Sequence, residues 1–253
     1  FMIDIYHGSS VIANGFFAII GKFALIISFA KIYLIFIKFF DLSYLILFLG
    51  IFSIFIGNVI ALKQKNFKRL LAYSSLSNSG FIFLALADID IISIRIAIIY
   101  ATIYSIISLG IFSILFNIKS NKSDNHDMYD IVNFSGLYNK HPAQSLCLAI
   151  LLFSLAGMPP FVGFFGKFYI LHNIIQEGHI YLSIITVILT IISLFYYANI
   201  IKVIYFNKSQ DSIYIEKKYG SIIVMTITTI FSIVAIFVLE GINNYIFNIA
   251  LYI

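Results

Sequence analysis

Charged side chains are scarce in this sequence: Asp, Glu, Lys and Arg make up only 11% of its 253 residues, whereas 61% of the residues are hydrophobic. The mean hydropathy is +1.02. A soluble domain carries roughly 25% charged and 45–50% apolar residues. A chain this short cannot bury so much apolar surface in a water-soluble core. The composition therefore excludes a soluble enzyme, a disordered chain and a nucleic-acid-binding protein.

The sequence contains one cysteine and no tryptophan. The single Cys147 excludes an internal disulfide, a zinc site built from cysteines and an iron–sulfur cluster held by this chain alone. The sequence contains no GxGxxG, P-loop or HExxH motif. Residues 1–12 lack the basic stretch and the cleavage pattern of a signal peptide, so we expect none. We therefore expect this chain to bind no redox cofactor of its own.

Long apolar stretches dominate the sequence instead. A helix needs about 20 mostly apolar residues to cross a bilayer, and seven segments qualify: 13–37, 42–62, 68–87, 92–117, 144–177, 179–206 and 219–247. Their apolar runs are continuous and do not alternate, which favours helices over the strands of a β-barrel. The sequence therefore predicts an all-α integral membrane protein with about seven transmembrane helices in one membrane domain, residues 1–253.

Positive charges concentrate in alternate loops. If residue 1 lies on side A of the membrane, side A also receives residues 63–69, 118–143 and 207–218. Side A then holds eleven lysines and arginines, counting Lys202, whereas side B holds only Lys38 and Arg95. Loops on the cytoplasmic or matrix side carry such an excess. We therefore predict that side A, with the N-terminus, is the matrix or cytoplasmic face.

The segment 144–177 is too long for one straight helix. Its middle, SLAGMPPFVGFFGK, contains Gly157, Pro159, Pro160 and Gly163. Proline removes a backbone donor and clashes with the preceding turn, and glycine loosens a helix further. We therefore predict a discontinuous helix. Irregular backbone at membrane depth is tolerated where it is buried in protein or lines a hydrated cavity, and in transporters it commonly lies at the transport path.

Three lysines lie inside the predicted helices: Lys22, Lys31 and Lys167. A lysine at a helix centre costs roughly 2.5–3.5 kcal/mol on insertion. Lys31 is near enough to a helix end to reach the interface, and it should face away from Lys22, nine residues earlier. Lys22 and Lys167 lie near mid-depth, and no Asp or Glu lies deep in any segment. These two lysines are therefore predicted to be paired by another chain, hydrated or neutral, and to form part of a proton path.

Polar residues on the third and fourth segments have two interpretations. Tyr104 and Ser108 are four residues apart and share one face of a helix. Packing against a neighbouring helix is the simpler interpretation, and lining a chain of water molecules is the alternative. The same choice holds for a polar cluster in the third segment, where side chains can bond to the preceding turn or wet a channel: Ser74, Ser75, Ser77 and Asn78.

Three strings of the sequence resemble the antiporter-like subunits of respiratory complex I, NADH:ubiquinone oxidoreductase. The string SLAGMPPFVGFFGKFYIL (154–171) resembles the signature of subunit 2 of that complex. The string GNVIALKQKNFKRLLAYSSLSNSGF (57–81) is similar to a motif that the antiporter-like subunits share, and DIYHGSSVIANGFFAIIGKFA (4–24) resembles the segment that enters the family's eighth helix. The resemblance covers nearly the whole chain. In the resemblance, a lysine at position 167 favours subunits 2 and 5 over subunit 4, in which a glutamate is typical, and the surrounding GFFGKFY favours subunit 2.

The resemblance implies a fold of about fourteen helices with two inverted five-helix repeats, of which this chain would supply helices eight to fourteen. Residues 1–37 would form the eighth helix, 42–206 the second repeat and 219–253 the C-terminal helix. Lys22 and Lys167 match the two lysines of the family's hydrated axis, which implies a role in proton relay. The implied function is proton translocation by a membrane-arm subunit of NADH:ubiquinone oxidoreductase that performs no redox chemistry itself.

The resemblance also implies partners. These are the other membrane-arm subunits and phospholipids, with no nucleic acid, and NAD, FMN, iron–sulfur clusters and ubiquinone are expected elsewhere in the complex. The family's fifth-helix glutamate and seventh-helix lysine are not in the sequence, so we expect a separate chain, packed beside residues 1–37, to supply the N-terminal half of the subunit. An unusual initiation codon and a shortened sequence are the alternatives to a split gene.

Two other functions and a location remain to be weighed. The chain could be a subunit of a multi-subunit cation/proton antiporter, with similar chemistry at its lysines but different partners. It could also be a structural membrane scaffold whose lysines are vestigial.

The sequence is rich in isoleucine, phenylalanine, tyrosine and asparagine. An AT-rich genome, as in many organelles, would impose this bias, so we expect the mitochondrial inner membrane, with the bacterial plasma membrane as the alternative.

Overall fold

A bundle of apolar helices makes up the computed structural model, which describes residues 8–36, 42–87, 90–120, 128–208, 213–216 and 218–237. The first helix, α1, has three consecutive parts, Val11–Phe16, Phe17–Gly21 and Lys22–Phe36, and its middle part is a π-turn. The following helices are α2 Ser43–Ala61, α3 Phe67–Ala85, α4 Ile91–Phe116, α5 Leu137–Lys140, α6 Pro142–Ala156, α7 Val162–Gln176, α8 Ile180–Phe206 and α9 Tyr219–Val234. The predicted all-α fold is therefore confirmed.

Each of the seven predicted segments contains a helix, and the segment 144–177 contains two, α6 and α7. Among the described residues, four stretches are long and apolar enough to cross a membrane: Val11–Tyr33, Ser43–Ala61, Ile91–Phe116 and Ile180–Phe206. Helices α6 and α9 are shorter but apolar. The predicted C-terminal helix is described as far as Val234, followed by a 3-10 turn over Ala235–Phe237, and its predicted remainder lies outside the described residues, as do Lys38, Lys122 and Lys217.

The described parts of the lysine-rich loops meet on one face of the bundle. Strands β1 (Ile118–Ser120) and β2 (Ile213–Ile215) pair antiparallel, with Lys119 opposite Tyr214. The amide of Phe67 donates to the Tyr129 carbonyl at 2.8 Å, and the amide of Ile131 donates to the Lys65 carbonyl at 2.8 Å. The same face holds the start of α1, because the Lys68 ammonium donates to the Ser9 carbonyl. This is the common side A that the alternation of the loops predicts.

Helices α2 and α3 pack backbone against backbone. A Cβ atom added at Gly57 would lie 2.7 Å from the Ser77 nitrogen and 2.8 Å from the Tyr73 oxygen, and one added at Gly80 would lie 2.6 Å from the Gly50 oxygen. Small residues allow this close approach, which strengthens dispersion contacts and interhelical hydrogen bonds in a membrane. The pair α2–α3 is therefore the tightest helix contact that positions the polar residues of α3.

Helix α3 lies in the centre of the bundle. Fourteen of its 19 residues are buried, and they include Ser74, Ser75, Ser77 and Asn78. Its polar side chains are thus turned toward other helices and away from lipid, which explains how a helix of lower hydropathy can lie at membrane depth. The neighbouring α4 is also largely interior, and it carries Tyr100, Tyr104 and Ser108 on its buried side.

The close packing at Gly57 gives a stability test. We expect Gly57→Val to lower the amount of assembled protein in the membrane and to destabilise it by about 1–3 kcal/mol, as overpacking typically does. The matched control is Gly220→Val, because a Cβ at Gly220 meets no atom within 4 Å. The measurement is the membrane level and the thermal unfolding of both variants, and equal behaviour of the two would contradict the packing argument.

Candidate functional site

Lys22 follows directly after the π-turn Phe17–Gly21. A π-turn fits an extra residue into one turn of a helix, and such turns are frequent at functional positions. The Lys22 side chain is buried, whereas Lys31 on the same helix is exposed. The prediction that these two lysines face opposite ways is confirmed, and Lys22 is the one that points into the bundle.

The Lys22 ammonium is held by a carbonyl and an aromatic face. Its Nζ atom donates to the Ser75 carbonyl oxygen at 2.8 Å and lies 3.8 Å from the centre of the Tyr104 ring. Within the described residues this ammonium makes no ion pair with a carboxylate. The backbone dipole and the negative face of the ring therefore replace part of the hydration that the charge loses.

Lys167 is held by the break in the helix itself. Its Nζ atom donates to the Leu155 oxygen at 2.9 Å and to the Ala156 oxygen at 3.0 Å, and it lies 5.1 Å from the centre of the Phe81 ring. The last carbonyls of a helix have no partner within that helix. Helix α6 ends at Ala156, so these two oxygens are free to accept hydrogen bonds from the lysine.

The residues predicted to break the helix each have a place in the break. Gly157 has φ +82°, the left-handed conformation that ends α6. Pro159 and Pro160 lie between the two helices on the outside of the bundle. The amide of Gly163 donates to the Ser154 hydroxyl at 3.2 Å. A Cβ atom added at Gly163 would lie 1.8 Å from the backbone carbonyl oxygen of Ser154. The discontinuous helix is therefore confirmed, and only glycine fits at position 163.

Tyr104 lies between the two lysines. Its ring covers the Lys22 ammonium, and its hydroxyl lies beside the hydroxyls of Ser75 and Ser108. The same tyrosine lines a small cavity together with Lys167, Asn78 and Ser154. One aromatic side chain is therefore in contact with Lys22 and with the space beside Lys167.

A second cavity adjoins Tyr104 on the other side. It is lined by Ser74, Tyr104, Ser108 and Leu155 among others. Each cavity leaves about 10 Å³ for the centre of a water molecule, enough for roughly one water. Tyr104 and Leu155 line both cavities. Hydroxyl groups and room for single waters therefore lie beside Tyr104, which contacts Lys22 and lines the same cavity as Lys167.

Sequence reasoning missed part of this polar network. The Tyr100 hydroxyl donates to the Asn78 side-chain oxygen at 2.6 Å, and the Asn78 amide donates to the Ser74 carbonyl at 2.7 Å. The Tyr197 hydroxyl, on α8, is buried beside Ser74 and Asn78. Tyr100 could have been found, because it lies one turn before Tyr104 on the same face. Tyr197 carries no signal, because α8 is apolar along most of its length.

The polar cluster on α3 bonds to its own helix and borders the two cavities. The Ser74 hydroxyl donates to the Leu71 carbonyl at 3.0 Å, and the Ser79 hydroxyl donates to the Ser75 carbonyl at 2.9 Å. These are bonds to the preceding turn. Asn78 lines the first cavity, and Ser74, Tyr104 and Ser108 line the second. That these side chains line a chain of water molecules stays a prediction.

Comparison with known proteins agrees with this geometry. Residues 1–193 match a family described as "NADH:quinone oxidoreductase/Mrp antiporter, TM". The chain is 39% identical over 211 residues to NADH-quinone oxidoreductase subunit N of Pelagibacter ubique, covering 83% of this chain and 44% of that protein. It is 34% identical over 248 residues to subunit N of Wolbachia from Brugia malayi, covering 96% of this chain and 51% of that protein. The chain thus spans about half the length of these curated relatives.

A solved structure shares the fold. The membrane-bound sulfane sulfur reductase, an archaeal respiratory membrane complex, contains a chain that superposes with a TM-score of 0.81 at 22% identity, covering 98% of this chain and 50% of that one. At this identity the likeness concerns the fold alone. The family match covers most of the chain and includes Lys22, Lys167 and the broken helix. The chain therefore belongs to the NADH:quinone oxidoreductase/Mrp antiporter transmembrane family.

Proposed function

We propose that this chain translocates protons through the membrane arm of a respiratory NADH:quinone oxidoreductase. The observation that carries the proposal is the position of Tyr104, which covers the Lys22 ammonium and lines the cavity beside Lys167. Relatives at 39% and 34% identity are named as subunits of NADH-quinone oxidoreductase. The buried amines of Lys22 and Lys167, with Tyr104 between them, support proton relay better than they support a structural role, because unpaired intramembrane charges are costly.

The proposed relay needs no covalent chemistry. Lys22 releases a proton from Nζ to the hydroxyl network of Tyr104 and Ser108, and the network passes a proton through single waters to Nζ of a neutral Lys167. Each hydroxyl gives up one proton as it receives another, so no group changes its charge permanently. Because each amine is either charged or neutral, it can load and release one proton in each cycle.

The wider assembly is part of the same proposal. Residues 42–206 would form a five-helix repeat, residues 1–37 a helix of a preceding repeat and residues 219–253 a C-terminal helix, which together would be helices eight to fourteen of the antiporter-like fold. A separate chain that supplies the first half of the subunit stays a prediction. Phospholipids and the other membrane-arm subunits would cover the exposed apolar faces.

Redox cofactors are proposed to lie on other chains of the complex. Within the described residues no group of three or more His, Cys, Asp and Glu side chains could hold a metal ion. Cys147 is partly buried and single. NAD, FMN, iron–sulfur clusters and ubiquinone would therefore belong to neighbouring subunits, and this chain would contribute to the enzyme through proton transfer alone.

The protein is a multi-pass integral membrane protein, and its exact membrane is a finer proposal. The lysine-rich face would lie toward the matrix or cytoplasm. We propose the mitochondrial inner membrane on the AT-rich residue bias, with the bacterial plasma membrane as the alternative that the bacterial relatives favour. Immunolocalisation with an antibody against the loop around residues 128–141 would decide between the two.

A multi-subunit cation/proton antiporter is the second candidate, because the family description includes the Mrp antiporters. The lysine chemistry would be similar in both cases. Co-purification separates the two candidates: NADH oxidase activity in the purified assembly supports the respiratory complex, and cation-dependent proton exchange without it supports the antiporter. If the chain is a structural scaffold, neither activity will depend on its lysines.

The first functional prediction concerns the lysines. We expect Lys22→Met and Lys167→Met each to lower proton pumping on the order of tenfold or more, within what a positioned acid–base group contributes, while the complex still assembles. Lys31→Met is the control, because Lys31 is exposed. The measurement is the proton-to-electron ratio and rate of reconstituted enzyme. If the Lys167 variant pumps at the wild-type ratio and rate, Lys167 takes no part in the relay.

The second functional prediction concerns the Tyr104 hydroxyl. Tyr104→Phe keeps the ring over Lys22 but removes the hydroxyl beside Ser75 and Ser108, so we expect slower pumping with an unchanged level of complex. Tyr196→Phe is the matched control. It also removes a buried hydroxyl, one that donates to the Asn58 side chain at 3.2 Å away from the cavities. Equal pumping rates of the two variants would mean that the Tyr104 hydroxyl carries no protons.

The third functional prediction concerns Gly157. A Cβ at this position would lie 2.9 Å from Cδ of Lys167, so Gly157→Ala should displace the lysine from the Leu155 and Ala156 carbonyls. Gly178→Ala is matched for backbone strain, because Gly178 has φ +90° and its Cβ would meet no atom within 4 Å. Both variants should lose roughly 1–2 kcal/mol of stability. Only Gly157→Ala should lose pumping, and a similar loss by both would show that strain alone is responsible.

A further inference from the structure

We propose that Lys68 is a positioning residue that sets the register of α1 and thereby places Lys22 against Tyr104. Lys68, in the first turn of α3, is buried at 7% exposure, whereas Lys63 and Lys65 in the preceding loop are exposed. Its Nζ atom donates to the Ser9 carbonyl at 3.2 Å and lies 4.1 Å from the centre of the Tyr129 ring. A buried ammonium with two specific partners is poorly suited to a general interfacial anchor, whose charge would remain in water.

Helix α1 needs such a contact because the hydrophobic effect does not fix its register. One side of the helix is open, with Ile12 64%, Phe16 54% and Ile20 54% exposed. In a membrane, apolar contacts between helices bring no hydrophobic gain, because lipid is equally apolar. The position of α1 along its axis must therefore depend on close packing and on polar contacts with its neighbours.

Those polar contacts lie at three levels along α1. On side A the Lys68 ammonium donates to the Ser9 carbonyl, and at the middle the Lys22 ammonium donates to the Ser75 carbonyl. Toward side B the Tyr33 hydroxyl donates to the Ala87 carbonyl at 3.3 Å. Lysines thus link the two helices in both directions, because Lys68 reaches from α3 to the start of α1 and Lys22 reaches from α1 to α3.

The contact at Ser9 is transmitted to Lys22 through the helix start. The Ser9 hydroxyl donates to the Asn14 side chain, and the Ser10 hydroxyl accepts from the Ala13 amide at 3.3 Å as the N-cap. Lys22 follows Ser9 by about 20 Å at 1.5 Å per residue. A slip of one residue would move Lys22 by about 1.5 Å and turn it by about 100°, which would break its contact with Tyr104. Because the register matters through Lys22, the inference rests on the proposed proton relay.

The register of α1 can be measured without any assay of pumping. A Cβ added at Gly15 would lie 3.5 Å from Cβ of Phe112 on α4, within the roughly 3.5–4.5 Å range of a disulfide. The pair Gly15→Cys and Phe112→Cys therefore reports whether α1 keeps its position against α4. The yield of the 15–112 disulfide in the assembled complex can be read by mass spectrometry.

The experiment places this cysteine pair in backgrounds with Lys68→Gln, Lys68→Arg or the exposed control Lys63→Gln. We expect Lys68→Gln to lower disulfide yield and pumping severalfold, while Lys63→Gln changes neither. Arginine keeps the charge and can stack on Tyr129, so Lys68→Arg should retain both. Where Lys68→Gln proves too unstable to assemble, Tyr129→Leu removes the ring alone and should lower the yield in the same direction.

The disulfide also gives a rescue test. In the Lys68→Gln background, oxidation should lock α1 in place and restore pumping, and reduction should abolish the rescue. An unchanged disulfide yield in both the Lys68→Gln and the Tyr129→Leu backgrounds would overturn the proposal, and so would a formed disulfide that restores no pumping, because Lys68 would then act as something other than a positioning residue. Failure of the relay itself is distinguishable, since Lys22→Met would then pump normally while the disulfide yield still reports the register.

Discussion

The structure depends on how a lysine ammonium is solvated inside a bundle of apolar helices. Lys167 is held by the carbonyls of Leu155 and Ala156, and these oxygens are available only because Gly157 ends α6 in the left-handed conformation. A continuous helix would use the same carbonyls for its own hydrogen bonds. The helix break therefore supplies the carbonyl groups that replace water around the Lys167 ammonium.

Lys22 is solvated by the same principle with different means. Its partners are the Ser75 carbonyl and the face of Tyr104, both supplied by neighbouring helices. Because one of these partners is a tyrosine with a hydroxyl, the proposed relay assigns to the group that holds the charge the transfer of the proton as well. Among the described residues dipoles, and no carboxylate, hold this lysine, so no fixed counter-ion there would be left unpaired if the proton departed.

The close packing of α2 and α3 shields this polar interior from lipid. Gly57 and Gly80 let the two backbones touch, so α3 is enclosed and its serines and Asn78 face other helices. Tyr100 then satisfies Asn78 across the interface.

The sequence by itself determined the helices, the break and the two lysines, because continuous apolar runs, Gly157, Pro159 and the depth of Lys22 and Lys167 are local properties of the chain. It could not say what surrounds each lysine. The Ser75 carbonyl, the Tyr104 ring and the Ser9 carbonyl bound by Lys68 come from residues more than 50 positions away in the chain. Inside a membrane the hydrophobic pattern identifies the segments that cross the lipid, but not the faces by which the helices meet. Which helix faces meet was decided by close packing and hydrogen bonds, and these exist only in the tertiary structure.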